Sequence, residues 1–471
     1  MPNLALPGNP RYQPKNLQDY FGYDNLFRAV AQVEIATMKV LGEIGVIPTD
    51  VIALLTPEVE KDLLSITTTQ VDEVERKITK HDIRAWVRIA QERVHPSLCR
   101  WIHIPLTSYD AIDTARSIQF ATAHRLTVRP LADEVIEHLV NRTSEFAGQP
   151  QIGRTHGQHA LPITVGFWLA TILNRFLVNV QSANNAADCL IGKISGAVGA
   201  YNAQVATGIP ARCDGKIFEE MVLAKLGLKP ARVSTQIMSP EPLADYLFSC
   251  VKISAALGQF GRDGRHLMRT EIGELCEPFD KGQVGSSTMA HKRNPINFEN
   301  LESTWLKTKN EFGKVLDVML SDHQRDLVNS AIARDFPTIV VNIVSQLNTL
   351  LRGTPCFLER LTVDKEACSK NFALQGDLIM AEPIYITLQM LGYAGDAHEL
   401  VNHRAIPKAA AEGVSLYNAV EGVLREESSD ILHTMHPELK KKLRNPERYL
   451  GLAEAKAFEV VADAEDYLGV R

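Results

Sequence analysis

Three stretches of the chain set basic, imidazole or hydroxyl groups directly in front of an expected helix start. In GSSTMAHKRNPINFEN, residues 285–300, Lys292 and Arg293 precede Asn294, a good N-cap residue, and Pro295, whose fixed backbone angle suits the first helical position. A helix N-terminus already carries partial positive charge and unpaired N–H groups, so two more cations there repel it unless an anion sits among them. Gly282, Gly285, Ser286 and Ser287 make the preceding loop rich in donors. In GRTHGQHALP, residues 153–162, Arg154, His156 and His159 stand ahead of an apolar helix expected from near Pro162. In HIPLTSYDAIDTA, residues 103–115, Thr107 and Ser108 precede a helix whose first turns carry Asp110 and Asp113.

Each stretch also has a plainer reading: a solvated basic turn, satisfied core histidines, or simple capping by Thr107, Ser108 and Asp110. A metal site at His156 and His159 lacks the glutamate of HExxH and a third ligand nearby, so no metal or cofactor is expected. Neither a GxxxxGK[ST] loop nor a strand-linked GxGxxG is present, so a phosphate would be held by side chains such as Arg11, Arg325 or Arg334. Taken together, the three stretches suit a ligand with several negative groups. Removing a proton beside a carboxylate makes a doubly charged aci-carboxylate, which needs preorganised cations and N–H donors. A general acid must also protonate the leaving atom, and histidine is suited to that near neutral pH. β-Elimination from a succinyl group meets both needs, with a serine in the donor-rich loop as an unusual base.

The elements that must position these groups read as helices. Beyond Pro242, the residues Leu243, Leu247, Cys250, Ser254, Leu257, Gly261, Gly264 and Met268 alternate in steps of four and three, a heptad seam whose small residues admit a close partner helix. Leu131, Val135 and Leu139 mark a second helix, expected to break from its predecessor at Pro130. Val165, Leu169, Ile172, Phe176 and Val180 mark a third, apolar on most sides and so central in a bundle. The chain is therefore expected to be all-α. The stretch LTVDKEACSKN, residues 361–371, is read as the start of a smaller C-terminal helical domain, and the region before about Ser108 is more irregular.

With Lys+Arg 50 against Asp+Glu 56 among 471 residues, the net charge is -6, so no global basic field points to nucleic acid or an anionic membrane. The seven cysteines stand singly, without CxxC or metal-finger spacing, as suits a reducing compartment. The N-terminal residues show no signal-peptide pattern, and the most apolar run, from Leu161, is too short for a membrane span. A cytoplasmic protein is expected.

GSSTMAHKRNP resembles the signature loop of the fumarase/aspartase lyase superfamily, whose usual form is G-S-S-x-M-P-x-K-x-N-P. The resemblance implies Ser286 as catalytic base and Lys292 with Asn294 as holders of the substrate carboxylate. Further matches, from residue 11 to residue 334, are similar to the adenylosuccinate lyase family. GRTHGQ matches its T-H-G-Q segment and implies His156 as general acid. KHDIRAW implies substrate binding by Lys80, His81 and Asp82; TSYD does so for Thr107 and Ser108, and STQI for Gln236. The Arg11-Tyr12 pair resembles nucleotide-phosphate contacts. QRDLVNSAIAR supplies Arg325, Ser330 and Arg334 at the family's spacing, and Asn300 follows the signature glutamate Glu299.

The family's fold implies an N-terminal domain over residues 1–107, a central long-helix bundle over 108–362 and a C-terminal helical domain over 363–471. It further implies a homotetramer with active sites shared between subunits, a small nucleotide substrate and no cofactor. Two departures stand out: Ala290 replaces the signature proline, which loosens the loop, and MSPEPLADY follows STQI where many relatives carry R-D-R-H. A sister lyase or cycloisomerase acting on another succinyl or carboxymuconate-type substrate is the alternative, and a non-catalytic scaffold protein is a third reading.

Overall fold

The computed structural model describes residues 6–280, 282, 288–289, 291–325 and 328–470. Its principal elements in chain order are α1 (Leu26–Glu43), α2 (Ser108–Ala123), α3 (Arg129–Glu145), β1 (Pro150–Thr155), β2 (Gln158–Thr164), α4 (Val165–Ala187), β3 (Ile191–Gly192), β4 (Lys229–Pro230), α5 (Glu241–Leu267), β5 (Leu275–Cys276), α6 (Ile296–Asp317), α7 (Pro337–Leu350), β6 (Thr362–Val363) and α8 (Lys365–Ala373). Helices dominate, as expected. Strands among the described residues form three two-stranded pieces: β1–β2 antiparallel, β3–β4 parallel and β5–β6 antiparallel.

The chain folds as two compact units, each drawn from three segments. The first comprises residues 1–135, 175–260 and 300–352. Here α1 packs on α2, and the seam residues Leu247, Cys250, Ser254 and Leu257 of α5 are buried. The small residues of that seam do what their size permits: a Cβ on Gly258 would lie 2.5 Å from Cβ of Trp305 on α6. A buried polar link joins three helices, with the Ser254 hydroxyl donating to Gln346 (2.7 Å) and the Gln346 amide donating to the Leu301 carbonyl (2.8 Å). The expected break at Pro130 is instead a π-helical turn, His124–Val128, which joins α2 to α3. Its wider ring relieves the clash between a proline and the preceding carbonyls.

The second unit comprises residues 136–174, 261–299 and 353–471. Its apolar core gathers Ile152 with C-terminal helical residues including Leu388, Leu400, Leu416, Val420 and Leu424. Gly264 again marks a close approach, since a Cβ there would lie 2.3 Å from the Phe298 ring.

One local expectation needs correcting. The segment around His156 does not lead straight into a helix at Pro162. Residues 150–164 form the β1–β2 hairpin, and α4 begins at Val165. The two loop residues, His156 (φ 55°) and Gly157 (φ 77°), both lie at positive φ, as a tight two-residue hairpin turn requires. The His-Gly pair flanked by Thr155 and Gln158 was a turn signal, masked by the strength of the helical pattern that follows.

Candidate active site

All three helix starts that seemed open to an anion are met by groups of the protein itself. At α6, the Glu277 carboxylate accepts from the backbone N–H of Phe298 (2.7 Å) and of Asn297 (3.2 Å), and from the Asn297 amide (2.8 Å). Burial pushes the Glu277 carboxyl above the ordinary carboxylate range despite these bonds. The helix begins at Ile296, so Pro295 stands one position before the first helical residue rather than occupying it. At α4, the Phe167 N–H donates to the Thr164 hydroxyl (3.0 Å), while those of Val165 and Gly166 donate to the carbonyls of Gln149 and Phe146. At α2, Asp110 accepts from the Thr107 N–H at 2.8 Å.

Arg154 is likewise engaged. Its guanidinium makes a two-pronged pair with Glu274, 2.6 and 3.1 Å, and the same buried carboxylate accepts from Gln151 (2.7 Å) and Asn371 (2.9 Å). This clamp anchors the hairpin to the rest of its unit. His159 on β2 is held below its ordinary pKa by burial and by the nearby Arg154 charge. His156 sits exposed at the hairpin tip. Lys292 and Arg293 are exposed too, with the Arg293 guanidinium 5.1 Å from the Phe279 ring centroid. Asn294 is half-buried beside them. Ser286, with Gly285, Ser287 and Ala290, lies outside the described residues.

The first unit brings several expected binding residues together. Arg325 donates to the Gln236 amide oxygen (2.9 Å) and to the Ser330 hydroxyl (3.2 Å). Tyr109 joins them, its hydroxyl 3.0 Å from that of Ser330 and its ring centroid 3.5 Å from the Arg325 guanidinium carbon. Tyr109, Arg325 and Ser330 border a cavity also lined by Asp113, Arg116 and Phe336. Asp113 pairs with Arg116 (3.2 Å) and accepts from the Met238 N–H (3.0 Å), yet its burial raises its pKa.

The other expected residues of this unit lie on exposed or half-buried turns and helix ends. Arg11 and Tyr12 close a short 3₁₀ turn capped by Asn9, with the Arg11 guanidinium 5.5 Å from the Tyr12 ring centroid. Lys80 takes a left-handed conformation (φ 52°), and His81 caps the helix Asp82–Arg93 through Nδ1, which accepts from the Arg84 N–H at 3.5 Å. Asp82 accepts from the Ile83 N–H. Thr107 and Ser108 are half-buried at the α2 start, while Asn300 on α6 and Arg334 after residues 328–332 are exposed.

The positions of these groups depend on residues that carried no expectation. Lys193, wholly buried, pairs with the buried Asp110, whose carboxylate also accepts from the N–H groups of Ser195 and Gly196 at 3.1 Å. A lone lysine in the apolar run LIGKISGAVG was the available signal. Glu274, Glu277 and Tyr109 had none, because their partners are distant in sequence. One group among the described residues offers metal-ligating atoms close together, His138, Cys356 and Glu359. Its Glu359 carboxylate already accepts from the Cys356 N–H (2.6 Å), as a capping box does.

Comparison with known proteins fits this architecture. Residues 16–307 match the lyase family, and the fold is shared with 3-carboxy-cis,cis-muconate lactonizing enzyme from Pseudomonas putida (TM-score 0.79, 23% identity, 97% of this chain and 98% of that one). It is shared also with a fumarate lyase from Mesorhizobium sp. BNC1 (TM-score 0.77, 20% identity, 97% and 100%). The chain belongs to the fumarase/aspartase lyase family. Within it, similarity runs end to end with adenylosuccinate lyases: 30% identity to that of Archaeoglobus fulgidus over 97% of this chain and 98% of the relative, and 31% to that of Pyrococcus horikoshii over 98% and 97%. That of Aquifex aeolicus is 32% identical over 84% and 87%.

Proposed function

We propose that the protein is an adenylosuccinate lyase, eliminating fumarate from adenylosuccinate to give AMP and from the succinylated imidazole carboxamide ribotide to give its free amide. The observation that carries this reading is the Arg325–Ser330–Gln236 cluster. A guanidinium and a hydroxyl already fixed together suit a phosphate oxygen. The full-length likeness to adenylosuccinate lyases supports the choice of nucleotide.

In this mechanism Ser286 takes the Cβ proton, and electrons pass into the adjacent carboxylate to form the aci-carboxylate. Lys292 and Asn294 hold its second negative charge in place. The C–N bond then breaks, and His156 protonates the departing nitrogen, leaving fumarate and the free amine. Arg11, Tyr12, Arg325, Ser330 and Arg334 hold the phosphate end. Lys80, His81, Asp82, Thr107, Ser108, Gln236 and Asn300 orient the remainder, which raises the rate by limiting unproductive geometries. No cofactor enters.

The exposed positions of His156, Lys292, Arg11 and Lys80 support a site completed by other copies of the chain, in a homotetramer whose subunits each lend one motif region. The three-domain division at 108 and 363 belongs to the same reading. Seven free cysteines support a cytoplasmic setting, and no helix among the described residues is long and apolar enough to cross a membrane. The test is fumarate release from adenylosuccinate by the purified protein beside Arg11→Ala. Release with an affinity for the nucleotide that falls in the variant, while that for fumarate does not, supports the reading. Equal losses, or no release by the folded wild type, point to a sister lyase or cycloisomerase acting on a carboxylate without phosphate.

A further inference from the structure

Tyr109 is the member of the first unit's cluster to which neither the reaction nor the family likeness assigns a part. It is the second residue of α2, next to Ser108, and its neighbour Asp110 is locked by Lys193 and three backbone N–H groups. The ring is therefore carried on a rigid mount. Its face meets the Arg325 guanidinium at 3.5 Å from the centroid, and its hydroxyl meets Ser330 at 3.0 Å. Arg325 also donates to the Ser330 hydroxyl and to the Gln236 amide oxygen.

We infer that Tyr109 is a positioning residue that sets Arg325 and Ser330 as one anion-binding unit before the ligand arrives. An arginine left to itself loses much rotamer freedom when it grips an anion, and stacking against a fixed ring removes part of that loss in advance. A guanidinium over an aromatic face also keeps its edge N–H groups free to bind in the plane, where a phosphate approaches. The Tyr109–Ser330 bond turns the serine hydroxyl, fixing which way it presents its proton and lone pairs. The inference rests on the nucleotide reading above, since it is the phosphate that the pair would receive.

The experiment titrates AMP and adenosine into the full-length wild type, Tyr109→Phe and Tyr109→Leu, with thermal melts as a fold check and fumarate release measured in parallel. Tyr109→Leu, lacking both ring and hydroxyl, is expected to weaken AMP about tenfold. Tyr109→Phe, which keeps the ring, is expected to weaken it about threefold. Adenosine should bind alike in all three. In turnover, KM for adenylosuccinate should rise more than kcat falls, with Phe recovering most of what Leu loses. Unchanged AMP binding in Tyr109→Leu, or equal losses for AMP and adenosine, would overturn the inference. A wild type that binds AMP no better than adenosine removes the phosphate premise itself, a result separable from both. If Tyr109→Leu does not fold, the threefold change in Tyr109→Phe decides.

Discussion

Two groups of residues, one in each unit, are held in opposite ways. In the first, Gln236, Arg325, Ser330 and Tyr109 bond to one another, and Asp110 and Lys193 are sealed beneath the adjoining helix start. In the second, His156, Lys292 and Arg293 stand exposed, while the half-buried Arg154 and the buried Glu274 and Glu277 are fully engaged. On the proposed roles, the contrast sets binding groups apart from reacting ones. A binding surface gains from being fixed in the isolated chain, because ordering it later costs affinity. An acid or base on a turn gains from being set precisely by a rigid anchor while its tip stays free to meet a substrate presented from elsewhere.

The largest expected effects fall on the proposed acid and base. Ser286→Ala and His156→Gln should each lower kcat by about a thousandfold or more with melting temperature unchanged, measured by fumarate release and thermal melts. A variant that keeps its activity would take its residue out of the reaction. Next comes the anchor. Arg154→Ala leaves the Glu274 carboxylate buried without its cation, and should destabilise the protein by about 3–5 kcal/mol in denaturant unfolding. Lost activity with full stability would instead make Arg154 a substrate ligand and weaken the division between support and chemistry.

Packing in the first unit is expected to matter less but still measurably. Gly258→Ala forces its new methyl group against Trp305 and should cost about 1–3 kcal/mol. No change in stability would mean that α5 and α6 can part at this point without penalty. The smallest effect is a pH dependence at the hairpin. His159 has a folded pKa lowered from 6.5, so below pH 6.5 the unfolded chain binds more protons than the native one. Its contribution to stability is complete above that value and is lost as the pH falls through the folded pKa. The melting temperature of wild type should therefore drop faster than that of His159→Asn between pH 7 and acid; parallel curves would contradict the shift.

Much of the fold was legible because long helices repeat their signals. The seam from Leu243 to Met268 and the run from Val165 to Val180 each gave many mutually consistent positions, and the structure buries all of them but the half-buried seam ends Leu243 and Met268. The hairpin at 150–164 escaped because its strands are short and partly polar, and only the His-Gly turn betrayed it. Among the candidate site residues, Lys292, His156, Arg325 and Ser330 could be singled out because local motifs carry them. What could not be read was the closure of each helix start: Glu277 meets α6 from twenty residues away in sequence, and Glu274 reaches Arg154 across more than a hundred. Local spacing tells where partial charges lie but not which distant group neutralises them.

On the proposed roles, Arg325, Ser330 and Gln236 are fixed within one chain, while each active site takes its acid and its base from different copies. Mixing inactive Ser286→Ala with inactive His156→Gln, under conditions that let subunits exchange, tests it most directly. Recovery of fumarate release from adenylosuccinate in the mixture, absent from either variant alone, is the predicted result. A mixture that exchanges subunits and stays inactive would place both groups of each site on a single chain and contradict the claim.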